Sequence, residues 1–289
     1  MYKRILASLF AALLIVALAP LGTSAQEERP ERLVLGANPS READVIIDSL
    51  EPLADLLSER LEIEVEAFVS TSYTALVEAL GTARVDIGFF PPAALVQAMD
   101  RYDAQVILAS VRHGETSYKA QFNVRCDSGI ESFEQLDGRS IAFVDPASAS
   151  GYQFPFAFLS GEYGIDANTD MDGIFAGSHD AAVLAVYNGD VDVAVSFDDA
   201  RTTIEGDFPD VMEEVCVLGY TNPIPNDGVV VRAGLAPELV EEIKQALMEI
   251  GDTEEGTALL DEMINVTSLA PISPDVYDIV RETSRIFQE

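Results

Sequence analysis

What most constrains this chain is an alternation of strand and helix that starts twice. The first run reads as a strand over 32–36, a break at Asn38-Pro39-Ser40, and a helix starting at Pro52 with Leu53, Leu56 and Leu57 at helical spacing. A strand over 64–69 follows, then a helix carrying Tyr73, Leu76, Val77 and Leu80 on one face, and a strand over 85–90 stopped by Pro91-Pro92. A short helix over 93–99 and a strand over 106–109 close the run. From about residue 115 the rhythm restarts, with strands over 118–124, 141–144 and 191–195 and helices over 130–136 and 181–187. Leu80, Val85, Asp86 and Ile87 stand at the same offsets as Val186, Val191, Asp192 and Val193, so one helix-to-strand unit occurs in each half. Strands alternating with helices imply a parallel sheet covered on both faces, and two such runs imply two similar α/β lobes.

Beyond these runs come strands over 215–218 and 229–231, around a rigid segment Pro223-Ile224-Pro225-Asn226-Asp227. The last third is read as helical, with apolar stripes Leu239, Ile243, Leu247, Ile250, then Leu259, Leu260, Met263, then Val276, Val280, Phe287. These helices need a sheet, so the chain is expected to return to the first lobe by Gly228. Lobe 1 is thus assigned to 32–115 and 226–289 and lobe 2 to 116–225, with crossovers near 113–117 and 221–227 forming a hinge. Residues 1–25 are read as a cleaved secretory signal peptide: Lys3 and Arg4 precede an apolar run over 5–18, and Thr23-Ser24-Ala25 supplies small residues. No cysteine for a lipid lies near that site, and the chain is expected outside the cytoplasm, periplasmic or extracellular.

The 50 acidic against 17 basic residues give a net charge of -33, which argues against nucleic acid or an anionic membrane as partner. Only Cys126 and Cys216 are present, and in an exported chain such a pair points to a disulfide before a metal or a catalytic thiol. With two histidines in all, no zinc site is expected. Asn168-x-Asp170-x-Asp172-Gly173 imitates a calcium loop, but its twelfth position is His179 in place of a bidentate Glu.

One stretch carries chemistry: Asp145-Pro146-Ala147-Ser148-Ala149-Ser150-Gly151-Tyr152, between a buried strand and a helix. Small hydroxyl residues and a glycine at such a turn leave backbone N–H groups free at the positive end of the helix dipole, which can hold an anion without Lys or Arg. Read alone, Ser148 and Ser150 could equally be helix caps. Screening over about 8 Å lets such local dipoles outweigh the distant surface carboxylates.

That stretch, with Gly36-x-x-Pro39, the 73–88 unit, Gly177-Ser178-His179-Asp180 and Ile224-Pro225-Asn226-Asp227, resembles the phosphate-, phosphite- and phosphonate-binding proteins of bacterial ABC importers. The resemblance covers nearly the whole chain after residue 25, in order. It implies a type II periplasmic binding fold, two Rossmann-like lobes joined by a two-crossover hinge, closing on a small phosphorus oxyanion that is delivered to an ABC permease. It implies no cofactor, no catalysis and a monomer. By resemblance the ligand's oxygens fall to Ser148, Ala149, Ser150 and Gly151, with Ala149 replacing the usual Thr and so removing one hydroxyl. Tyr73, Tyr118 and His179 match positions lining the site from both lobes. Asp227 matches a carboxylate facing the ligand, and Asp199 stands where an acidic residue receives an amino group.

A carboxylate beside an anion repels it unless the anion brings a proton or a cationic group. Asp227 is therefore expected to favour a protonated oxyanion over sulfate, and Asp199 an aminoalkyl tail; as a bare turn residue, Asp227 could instead cap Pro225-Asn226-Asp227-Gly228. Gly177-Ser178-His179-Asp180 holds the three residue types of a hydrolase triad, but consecutive residues project in different directions and make poor evidence for catalysis. The competing functions are a secreted phosphoesterase on a similar scaffold and a sensor presenting its ligand to a membrane receptor.

Overall fold

A computed structural model describes residues 29–112 and 114–287. The expected signal peptide lies outside the described residues. The chain opens as β1 (Arg32–Ala37), α1 (Ala43–Leu61), β2 (Glu64–Val69), α2 (Tyr73–Gly81), β3 (Ile87–Phe90), α3 (Pro92–Tyr102) and β4 (Gln105–Val111). It continues through β5 (Ser117–Tyr118), β6 (Ala120–Arg125), β7 (Ser140–Phe143), α4 (Phe154–Phe158), β8 (Asp172–Phe175), α5 (His179–Tyr187), β9 (Val193–Phe197), α6 (Val211–Glu214) and β10 (Val215–Tyr220). It ends with β11 (Ile224–Pro225), β12 (Gly228–Val231), α7 (Pro237–Gly251), α8 (Glu254–Ile264), β13 (Ser268–Ala270) and α9 (Asp278–Arg285).

The strands form two main sheets, one ordered β13-β4-β12-β3-β1-β2 and the other β10-β6-β9-β7-β8. Both are mixed, where alternation of strand and helix predicts parallel sheets. β1 runs parallel to β2 and β3, and β7 parallel to β8 and β9, but β12 runs antiparallel to β3 and β4, and β6 antiparallel to β9 and β10. The crossovers explain the reversals. β4 delivers the chain to the second sheet and β12 receives it back, so the two must run in opposite directions. The crossing segments pair with each other as a small antiparallel ribbon, Ile224 opposite Tyr118 and Pro225 opposite Ser117.

Helix α1 starts nine residues before Pro52, which lies in its interior. An interior proline loses one helix hydrogen bond and costs roughly 3 kcal/mol. The completely buried stripe Ile46, Leu50, Leu53 and Leu57 offsets it, because fully burying each such side chain is worth about 1.5–3 kcal/mol. Three strands escape the sequence reading, among them the two-residue β11, which lies in the segment expected to be merely rigid. All four residues of β8 are exposed, so it shows no apolar alternation, and β13 is only three residues long.

One apolar cluster packs α1, α7 and α8 on the first sheet, and another lies on the far face of the second. A third is continuous across both, joining Leu76 and Val77 of α2 to Ala142, Val144 and Val183. Cys126 and Cys216 form a disulfide that ties the end of β6 to β10, with their Cα atoms 4.9 Å apart. The last helix serves both halves. Arg281 of α9 pairs with Asp100 of α3 at 2.9 Å, while Ser284 donates to the Gln153 side chain at 2.7 Å and Phe287 packs on the rings of Tyr152 and Phe156.

Candidate anion-binding cleft

Three helical N-termini meet between the sheets, each started by a serine. Ser72 Oγ accepts from the Ala75 N–H at 3.1 Å, making Tyr73 the first residue of α2. Ser178 Oγ accepts from the Ala181 N–H at 3.1 Å, placing His179 at the start of α5. Ser148 Oγ accepts from the Gly151 N–H at 3.0 Å and opens a wide turn that is closed by the Gln153 N–H on the Ser148 carbonyl at 3.1 Å. The positive ends of these dipoles give a very acidic protein a local field suited to an anion.

Tyr73, Tyr118, Ser148, Ser150, His179 and Asp227 line one cavity of about 30 Å³. One water needs about 10–15 Å³, so the space suits a compact tetrahedral anion. Pro91, Phe197 and Ile264 supply its apolar wall.

The polar groups are mostly donors. The Tyr73 hydroxyl is buried with no hydrogen-bond partner among the described residues. Burial first, then the carboxylates Asp145 and Asp227, raise its pKa well above the ordinary range, so it keeps its proton. Burial does the same to Tyr118, whose hydroxyl donates to Ser150 Oγ at 3.3 Å. His179 Nδ1 accepts from the Phe197 N–H at 3.2 Å, leaving Nε2 to carry the hydrogen of a neutral ring. Burial, helped by the positive charge of Arg112, holds this histidine down to about 3.

Two arginines also stand on the lining, where the turn chemistry alone implies an anion site without basic residues. Arg112 follows β4 directly; its Nη2 is 3.1 Å from Asp227 Oδ2, and its guanidinium lies 4.9 Å from the Tyr118 ring centre and 5.7 Å from that of Phe197. Arg41 lies beyond β1, donates to the Glu262 carbonyl at 2.6 Å, and has its Nε 3.8 Å from Asp180. Nε of each arginine is buried without a hydrogen-bond partner among the described residues. The signal for both was positional. Ligands of open α/β sheets bind beyond the carboxyl ends of strands, and these are the arginines that follow β1 and β4. Ser40 adds a tie across the cleft, its carbonyl accepting from the His179 N–H at 3.0 Å.

Three expected contacts lie off the cavity lining, and two of them have other partners. Asp199 is committed to Arg201, at 2.5 Å, and to the Gln121 side chain, at 3.0 Å; these partners outweigh burial and hold its carboxyl below the usual range. It lies off the cavity lining and is not free to receive an amino group. Gly151 has its N–H on Ser148, and it is glycine for space, since a Cβ there would sit 2.4 Å from the Val144 Cβ. Ala149 is wholly buried and is not on the cavity lining. Asp227 does line the cavity but is paired with Arg112, so exclusion of sulfate no longer follows from an unpaired carboxylate. Burial raises its pKa and Arg112 opposes that, leaving it above the ordinary value.

Among the described residues no group of three or more His, Cys, Asp or Glu could hold a metal ion, and no helix is long and apolar enough to cross a membrane. Known proteins with the same architecture are numerous. The chain is 28% identical to the phosphate-import protein PhnD of Mycolicibacterium smegmatis, over 91% of this chain and 87% of that protein. It is 25% identical to the phosphonates-binding periplasmic protein of Escherichia coli, over 91% and 79%. Its fold matches PhnD1 from Prochlorococcus marinus, solved with methylphosphonate, with a TM-score of 0.81 and 21% identity, covering 90% of this chain and 99% of that one. The family model for the periplasmic phosphonate substrate-binding proteins of ABC transporters matches residues 35–277, and with the two-sheet architecture and the donor-lined cleft between its halves, the chain belongs to that family.

Proposed function

We propose that the protein captures a compact phosphorus oxyanion in this cleft, outside the cytoplasm, and presents it to an ABC permease. The observation that carries the reading is the buried, unpartnered Tyr73 hydroxyl, beside Ser148, Ser150 and the Arg112 guanidinium, on a cavity of about 30 Å³. An unpaired buried donor costs about 1–3 kcal/mol, and a ligand oxygen relieves that cost. Ser148, Ser150, Tyr73, Tyr118 and the Nε2–H of His179 would donate to the oxyanion, with Arg41 and Arg112 supplying charge. Residues 32–115 with 226–289, and 116–225, would move as the two lobes about the paired crossing segments, and the protein would act as a monomer exported by a cleaved leader.

The ligand is one without a tail: phosphate, phosphite or methylphosphonate. The commitment of Asp199 to Arg201 takes that carboxylate away from an aminoalkyl group. Binding without catalysis is favoured because Ser178 Oγ caps a helix and His179 Nδ1 is occupied by a backbone N–H, so they form no nucleophile–base pair. Isothermal titration of the ligand-stripped protein tests this. One-site binding of at least one tailless phosphorus oxyanion, with 2-aminoethylphosphonate at least tenfold weaker, is expected. Silence of all three, or a clear preference for the amino compound, would contradict it.

A further inference from the structure

The cleft holds a carboxylate that ought to repel its ligand, and beside it a guanidinium. We infer that Arg112 determines specificity in this cleft by offsetting Asp227, so that the site takes the fully deprotonated dianion in preference to the protonated monoanion. The inference rests on the proposed function and adds to it the ligand's charge state.

An unpaired carboxylate accepts the ligand's proton and so selects the monoanion. Here one Asp227 oxygen is engaged by Arg112 Nη2 at 3.1 Å, making the pair formally neutral. The guanidinium keeps further donors, and its buried Nε is unspent among the described residues. The faces of Tyr118 and Phe197 hold its plane. Arg41 adds a second guanidinium to the lining, its Nε 3.8 Å from Asp180.

The titratable groups around the pair come from several elements: Tyr73 of α2, Tyr118 of β5, His179 of α5, Arg41 before α1, Asp145 after β7, Asp198 after β9, and Tyr277 ahead of α9. The tyrosines keep their protons, and His179 is neutral above about pH 3. That leaves the ligand, which loses its second proton near neutrality as a phosphomonoester does at about pH 6, and the carboxylates Asp145, Asp198 and Asp227. The two act with opposite signs. Protonating a carboxylate strengthens anion binding at low pH, whereas a requirement for the dianion weakens it there.

The test is calorimetric titration of methylphosphonate into the wild-type protein between about pH 5 and about pH 8, across the second ionisation of the ligand. Affinity about tenfold weaker one unit below the ligand's second pKa than well above it is expected. A flat profile, or affinity that falls toward alkaline pH, would overturn the inference. Arg112→Gln should reverse the slope, and adding Asp227→Asn to it should flatten the slope; an unchanged slope in folded Arg112→Gln would remove Arg112 from the role. If that variant does not fold, Arg112→Lys should bind more weakly with the slope kept, and loss of the slope there would count against the inference. Failure of every phosphorus oxyanion to bind the folded wild type at any pH would instead bring down the proposed function itself.

Discussion

Tyr73 separates binding from folding at the scale of one residue. Its hydroxyl is buried and unpartnered among the described residues, so Tyr73→Phe removes a desolvated donor that contributes nothing to the fold without ligand. Thermal stability should be unchanged or slightly higher, while affinity for the oxyanion falls about tenfold, the worth of a hydrogen bond to a charged group. Lower stability with intact binding would give the hydroxyl a structural role. His179 has a pH signature. Burial holds it down to about 3 from 6.5, so the unfolded chain binds an extra proton between those values and stability is lost as pH falls through that window. His179→Asn should flatten that acid slope relative to wild type by up to about 1.4 kcal/mol per pH unit in denaturant titrations. Hydroxyls at strand-to-helix turns were legible because caps and anion sites use the same residue types. Arg112 and Asp199 were not legible as a cleft residue and a bystander. Which carboxylate an arginine reaches depends on the path of the chain: Arg112 meets Asp227 from 115 positions away, while Arg201 takes Asp199 from two.

At the scale of elements, the turn after β7 depends on a close approach. Gly151→Ala would force a methyl group against Val144, and with no flexible partner to give way the turn must shift. A loss of about 1–3 kcal/mol, with weaker ligand binding because Ser148 and Ser150 move with the turn, is expected from denaturant and titration curves. The disulfide between β6 and β10 should behave differently. It closes a separation of 90 residues, and removing it with Cys126→Ser and Cys216→Ser should cost about 2–4 kcal/mol while leaving affinity within about twofold. Strands and helices with regular apolar spacing were legible. The antiparallel β12 was legible as a strand but not in direction, since direction comes from the route between sheets. The true start of α1 was hidden because Pro52 resembles a first-turn proline when only neighbouring residues are considered.

At the scale of the molecule, a net charge of -33 opposes the approach of any anion until it enters the cleft. Raising ionic strength from about 0.01 M to about 0.15 M shortens the screening length from about 30 Å to about 8 Å. The association rate should therefore rise with salt, as followed by stopped-flow tyrosine fluorescence in a chain with no tryptophan. A rate that falls with salt would mean that the arginines of the cleft already dominate the distant field. The two-lobed plan was legible because the strand–helix rhythm restarts. The reach of α9 and Phe287 onto the turn over 149–153 was not, because an amphipathic stripe does not name the surface that covers it.

A crystal structure with methylphosphonate tests directly whether a small phosphorus oxyanion sits among the three helical N-termini. The phosphorus group should lie between the two sheets, its oxygens within hydrogen-bond distance of Tyr73 Oη, the Ser148 and Ser150 hydroxyls, His179 Nε2 and the Arg112 guanidinium, with Asp199 still on Arg201. A ligand bound elsewhere on the molecule, or one in the cleft whose oxygens leave Tyr73 Oη and Arg112 without contact, would contradict that placement.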